Sequence, residues 1–131
     1  MSRWYLDASA ALKLVVEEAE SATLAETIDE QGHDLVACLL LETELRRAVQ
    51  RIDGLTQETV SHLLDGVALY EVPPSLYREA GLIGDGSLRS LDALHLAAAV
   101  RIGVDGVATY DTRMAAAARS LGLRVVAPAR G

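Results

Sequence analysis

Apolar residues along this chain come in short unbroken runs and in longer stretches at helical spacing, and the two kinds alternate from end to end. Trp4, Tyr5 and Leu6 form a first run suited to a buried strand. Asp7 ends it, and Ala8 to Leu12 read as the opening turns of a helix. After the acidic break Glu17-Glu18-Ala19-Glu20, Ser21 to Gln31 carries Leu24, Ala25 and Ile28 at helical spacing, with Gly32 as its stop. Asp34 to Ala37 is a second strand. It leads into an amphipathic helix, Leu39 to Ile52, with Leu41, Leu45, Ala48, Val49 and Ile52 as its buried stripe. Thr56 opens a helix running to Leu64, Val67 to Val72 is a third strand, and Pro73-Pro74 breaks the chain before a short helix, Ser75 to Leu82.

Gly84-Asp85-Gly86-Ser87 is the clearest loop. The Ala-rich segment Leu91 to Val100 is apolar almost all round, the mark of a helix buried on several sides. Gly106 to Tyr110 is a fourth strand ending at Asp111, Thr112 to Leu121 a helix closed by Gly122, and Arg124 to Ala127 a last strand before Pro128. This alternation predicts one α/β domain over residues 1–131, with a mostly parallel sheet of about five strands covered by helices on both faces.

Composition narrows the class. The 131 residues include one Trp, four Tyr and no Phe, so the core must be built from Leu, Val, Ile and Ala. The longest apolar run, Leu35 to Leu41, falls short of the ~18–20 residues of a membrane span, and the N-terminus has no basic-then-apolar secretory pattern. Cys38 is the single cysteine and cannot form an internal disulfide, which fits a reducing, cytoplasmic setting. A net charge of −7 argues against indiscriminate binding to nucleic acid. The basic residues are nearly all Arg, Lys13 being the only lysine, which suits a local phosphate-contacting surface.

Four acids recur where elements begin and end. Asp7 and Asp111 follow strands, Asp92 lies in the first turn of the buried helix, and Glu44 borders an apolar stripe where a carboxylate can reach a cleft. Singly, each has a plain structural reading: Asp7 and Asp111 as helix caps, Asp92 as complement to a helix dipole, Glu44 as a surface residue. If the first and fourth strands are neighbours, the two strand-end carboxylates face one crevice, where open α/β sheets place ligands.

Together, Asp7-Ala8-Ser9, Glu44-Leu45-Arg46-Arg47-Ala48, Leu91-Asp92-Ala93-Leu94-His95-Leu96-Ala97 and Thr109-Tyr110-Asp111 resemble the PIN-domain ribonucleases, in particular the VapC toxins of bacterial toxin–antitoxin pairs. The resemblance runs from residue 4 to about Pro128. It implies a three-layer α/β/α PIN-like domain. Asp7, Glu44, Asp92 and Asp111 would correspond to the acidic, metal-holding quartet of an endoribonuclease, and Ser9 and Thr109 to its small hydroxyl residues. Cys38 is a departure, since many members open the Glu-bearing helix with Ser or Thr; it bears on that helix's cap and not on the chemistry. The resemblance further implies an RNA substrate, tRNA being the family's common target, a VapB-like antitoxin that blocks the active site, and a homodimer.

The residue types point the same way. Clustered carboxylates repel one another and need a cation, and hard oxygen donors without histidine select Mg²⁺ or Mn²⁺ over zinc. His33, His62 and His95 are scattered without zinc-site spacing, and His95 reads as a packed core residue hydrogen-bonded to a neighbour. A divalent ion there would serve phosphodiester hydrolysis. Arg46, Arg47 and Arg113 lie near the acids in sequence and are candidate RNA phosphate contacts. A haloacid-dehalogenase-like phosphatase would need a second Asp where Ser9 stands, and a receiver domain would need adjacent acids after strand one and a late Lys. The remaining alternative is a PIN-like fold serving as a non-catalytic RNA- or protein-binding module.

Overall fold

A computed structural model describes residues 2–31 and 34–129; Gly32 as a helix stop and His33 lie outside them. The elements follow the predicted alternation: β1 (Arg3–Leu6), α1 (Ala8–Val15), α2 (Ser21–Gln31), β2 (Asp34–Cys38), α3 (Leu40–Val49), α4 (Gln57–Asp65), β3 (Val67–Tyr70), α5 (Pro74–Ala80), α6 (Ser90–Ile102), β4 (Gly106–Ala108), α7 (Thr112–Ser120) and β5 (Val125–Val126). The five strands form one parallel sheet in the order β3-β2-β1-β4-β5. Right-handed crossovers put α1 to α4 on one face and α5 to α7 on the other, the three-layer arrangement.

The central strand β1 is buried along Trp4, Tyr5 and Leu6, with Tyr5 paired to Val36 on one side and Val107 on the other. In α6 every residue from Ala93 to Ala99 is buried, as its all-round apolarity predicts. Its end is fixed by Gly103, whose φ of 76° is left-handed and closes the helix as only glycine does cheaply.

The differences from expectation sit at element ends. β4 stops at Ala108 rather than Tyr110, because the Tyr110 amide donates to the Ser9 hydroxyl at 2.8 Å and turns the chain toward α1. The third strand stops at Tyr70 rather than Val72. There the Leu39 amide donates to the Tyr70 carbonyl, so Leu39 is tied to the strand end and α3 begins one residue later. No side chain caps α3: Cys38 ends β2 with its sulfur 3.6 Å from His95 Nδ1, so the cap that a hydroxyl would make is missing.

Candidate active site

From β1 the chain steps outward to β2 and β3, returns through α6 to β4 on the other side of β1, and continues to β5. That reversal opens a crevice beyond the carboxyl ends of β1 and β4. Asp7 follows β1 directly and Asp111 lies just after β4, and because these strands pair, the condition set on the sequence is met and both acids stand at the same end of adjacent strands.

Asp7 is 5% exposed and caps α1: its Oδ1 accepts from the Ala10 amide at 2.9 Å and the Ser9 hydroxyl at 2.7 Å, and its Oδ2 from the Thr109 hydroxyl. Burial pushes its carboxyl upward, while the Thr109, Ala10 and Ser9 hydrogen bonds pull the other way without cancelling the rise. Ser9 in turn accepts from the Tyr110 amide, and Thr109 from the Asp111 amide at 3.1 Å. Both small hydroxyl residues therefore lace the β1–α1 turn to the β4–α7 turn. Asp111 caps α7, its Oδ1 accepting from the Arg113 and Met114 amides at 2.9 Å each. Its Oδ2 accepts no hydrogen bond among the described residues. The capping readings of Asp7 and Asp111 are thus realised, and they leave both residues facing the crevice.

Asp92 and Glu44 are placed differently. Asp92 sits in the first turn of α6, and its carboxylate accepts no hydrogen bond among the described residues. Its carboxyl is held above the ordinary value by partial burial and by the charges of Asp111, Asp7 and Glu44, with His95 opposing. The charges of Asp111, Asp7 and Glu44 all bear on Asp92. Glu44 stands on α3 with one oxygen bonded to His95 Nε2.

That bond reveals what the sequence reading left out. His95 is packed and hydrogen-bonded, as expected, but its neighbour is an acid of the site. The imidazole is 1% exposed; its Nδ1 lies 2.6 Å from the Tyr5 hydroxyl, whose oxygen accepts from the Cys38 amide at 3.1 Å. Burial disfavours its charge, yet Cys38 and Glu44 outweigh burial and hold its pKa up to about 10. In either charge state Nε2 carries the proton toward Glu44, because Tyr5 occupies Nδ1. Two signals were available: His95 stands one turn after Asp92 on the same helix, and a Tyr in a buried aliphatic run needs a partner for its hydroxyl.

The arginines divide. Arg46 is committed to the α3–α4 junction, its guanidinium bonding Glu42 at 3.1 Å, Gln57 at 3.0 Å and Ser61 at 3.0 Å, on the face of α3 turned from Glu44. Arg47 shares the Glu44 face and Arg113 opens α7; both are exposed and make no ion pair among the described residues.

Whether the acids suit a divalent ion can be judged from the donors themselves. Among the described residues no three His, Cys, Asp or Glu side chains converge tightly enough to enclose an ion unaided. Unengaged oxygens remain on Asp92, Asp111 and Glu44 among the described residues. Mg²⁺ keeps several waters and is commonly held by one or two carboxylates, so this donor set fits a hydrated ion and not a dehydrated cage.

Comparison with known proteins agrees with this fold. The PIN domain family matches residues 4–120. Ribonuclease VapC46 of Mycobacterium tuberculosis is 38% identical over 130 residues, covering 98% of this chain and 99% of the relative. Ribonuclease VapC35 of the same species is 35% identical over 129 residues, covering 95% and 96%. Among solved structures, M. tuberculosis VapC20, described as a toxin cleaving the sarcin–ricin loop, superposes with a TM-score of 0.72 at 16% identity, over 88% of this chain and 95% of that one. VapBC2 from Rickettsia felis, solved bound to a DNA fragment from its promoter, gives 0.61 at 13% identity, over 95% and 97%.

Proposed function

The chain belongs to the PIN-domain family, and from that premise we propose that it is a Mg²⁺- or Mn²⁺-dependent endoribonuclease, the toxin of a type II toxin–antitoxin pair. The observation that carries the reading is the placement of Asp7 and Asp111 at the carboxyl ends of the paired strands β1 and β4, their turns laced by Ser9 and Thr109. Four carboxylates there repel a phosphodiester unless a cation intervenes. A bound divalent ion supplies an acidified water and neutralises charge on the phosphate. The protein's part is to place oxygens. Asp7 is locked by Ser9 and Thr109, Asp111 keeps Oδ2 open while Oδ1 caps α7, and Asp92 and Glu44 offer their unbonded oxygens to the ion directly or through water. Arg47 and Arg113 contact flanking phosphates, where a guanidinium fork matches the geometry; Arg46, held by Glu42, Gln57 and Ser61, drops out of that role.

RNA, including tRNA, is the substrate of this reading, and the compartment is the cytoplasm. The partner is a VapB-like antitoxin that inserts an Arg among the carboxylates, where bidentate charge-assisted bonds are strongest. An apolar antitoxin helix lies against the N-terminal helices and α3, and the free toxin is a homodimer. The test is cleavage of RNA by the purified protein with Mn²⁺ and with EDTA, followed by sequencing of the RNA ends. Cleavage only with metal supports the reading. RNA bound but never cut, with all four acids in place, supports a non-catalytic module instead. Co-purification with the product of the adjacent gene, and sedimentation of the free protein, check the partner and the dimer.

A further inference from the structure

The buried chain Cys38–Tyr5–His95 lies outside the acidic quartet but ends on one of its members, Glu44, and it joins the three elements that carry Asp7, Asp92 and Glu44. Tyr5 is on β1 just before Asp7, His95 is on α6 one turn after Asp92, and the Cys38 amide that bonds Tyr5 stands at the end of β2, where the chain enters α3. We propose that His95, oriented by the Tyr5 hydroxyl, is a positioning residue that fixes Glu44 in the crevice and thereby builds the metal-binding half of the site opposite Asp7.

Three observations support this. The bond is sealed at one end and open at the other: the His95 side chain is 1% exposed and that of Glu44 23%. A long flexible carboxylate is thus gripped from the core by one oxygen, while the other accepts no hydrogen bond among the described residues. Nothing else holds it, since α3 has no side-chain cap and Glu44 accepts no other hydrogen bond among the described residues. Finally, the imidazole cannot swing away, because Tyr5 engages Nδ1 at 2.6 Å and meets the ring edge-on at 5.6 Å between centroids. Metal-ligating carboxylates are commonly fixed by such outer hydrogen bonds, and loss of one typically costs about 10- to 100-fold in metal affinity.

The inference rests on the metal-site reading, so the experiment separates the two. Mn²⁺ binding to the RNA-free protein is measured by titration calorimetry for wild type, Glu44→Gln, His95→Leu, His95→Gln, Tyr5→Phe and the double variant Glu44→Gln/His95→Leu. Melts in EDTA verify that each is folded. His95→Leu should lose about 10-fold or more in Mn²⁺ affinity. His95→Gln keeps an N–H near the Nε2 position and should recover most of that loss. Tyr5→Phe, which keeps ring volume, should lose a smaller, several-fold amount. In the double variant His95→Leu should add nothing to the effect of Glu44→Gln, as coupled residues do. A folded His95→Leu or Tyr5→Phe that binds Mn²⁺ like wild type, while Glu44→Gln does not, overturns the inference and leaves the metal site standing. Should His95→Leu fail to fold, Tyr5→Phe and the His95→Gln comparison carry the test. If Glu44→Gln and Asp7→Asn also bind like wild type, the metal-site reading itself fails.

Discussion

Asp7 and Asp111 reach the crevice as helix caps, each held by amides within three residues of itself, whereas Asp92 and Glu44 reach it from helices without any backbone donor on their carboxylates. In the first half, position follows from local chain geometry. A strand ends, an acid caps the next helix, and Ser9 and Thr109 tie one turn to the other across the sheet. In the second half, Glu44 depends on a residue far away in sequence, His95, and His95 on Tyr5, while Asp92 accepts no hydrogen bond among the described residues. A cap spends part of a carboxylate's capacity on the fold and makes the acid rigid. An unbonded acid in a crowd of acids keeps its capacity for a ligand and costs stability until the ligand arrives.

The largest expected effect tests whether the rigid half is functional as well as structural. Asp7→Asn keeps the shape of the cap and removes the charge, so RNA cleavage should fall roughly 10²- to 10³-fold, the scale of losing a principal electrostatic contributor in an active site. Glu42→Gln, on the opposite face of α3 and paired with Arg46 at 3.1 Å, should change cleavage by less than about twofold, because an exposed pair of that kind is worth only tenths of a kcal/mol. Initial rates on one RNA at saturating Mn²⁺ decide it. Equal losses in both variants would mean that α3 presents a different face to the crevice.

A smaller effect should appear in melting. If the quartet takes up Mn²⁺, a hundredfold excess over the dissociation constant stabilises the wild type by about 2.7 kcal/mol, and Asp92→Asn and Glu44→Gln should gain distinctly less. A wild-type melting temperature unmoved by millimolar Mn²⁺ would show that neither half holds metal.

The division between the halves also explains what could be read without coordinates. The order of elements follows from the alternating runs and Asp7 and Asp111 from where strands end, while Ser9 and Thr109 came with the family resemblance. The first two are short-range statements. Pairing of β1 with β4 was left conditional, because the hydrophobic pattern of a buried parallel strand does not name its neighbours. The early end of β4 was missed, since it depends on the Ser9 hydroxyl reaching the Tyr110 amide from the other end of the chain. Arg46 looked like a phosphate contact from its nearness to Glu44 in sequence, but helical geometry turns it with Glu42 toward α4, where Gln57 and Ser61 take its donors. His95 was read as a core residue with an unnamed partner, and nothing local says that the partner is Glu44.

The smallest expected effect separates capped from uncapped acids in the metal-free protein. Asp92 carries the cost of its neighbours with no hydrogen bond in return, so Asp92→Asn should raise stability in EDTA. Two charges about 4 Å apart repel by ~1 kcal/mol in water-like surroundings and ~4 at an effective dielectric near 20. Asp92 is only partly buried, which favours the lower end, and loss of its charge at the N-terminus of α6 subtracts a few tenths. The net gain should be about 1 kcal/mol or less. Asp111→Asn should be near neutral, since asparagine caps as well as aspartate, and Asp111→Ala should cost about 1 kcal/mol. Asp7→Asn should gain less than Asp92→Asn, because the Thr109 hydroxyl loses its carboxylate acceptor.

The same charge crowding makes the effect depend on pH. The Asp92 carboxyl is held above its ordinary 3.8, so between that value and its folded-state pKa the folded protein binds more protons than the unfolded chain. Its penalty is therefore full at neutral pH and fades as pH falls through the folded-state pKa. The melting-temperature advantage of Asp92→Asn over wild type should shrink in step. An advantage that stays constant from neutral pH down toward 3.8 would mean that it comes from packing at the start of α6 and not from the crowding of charge.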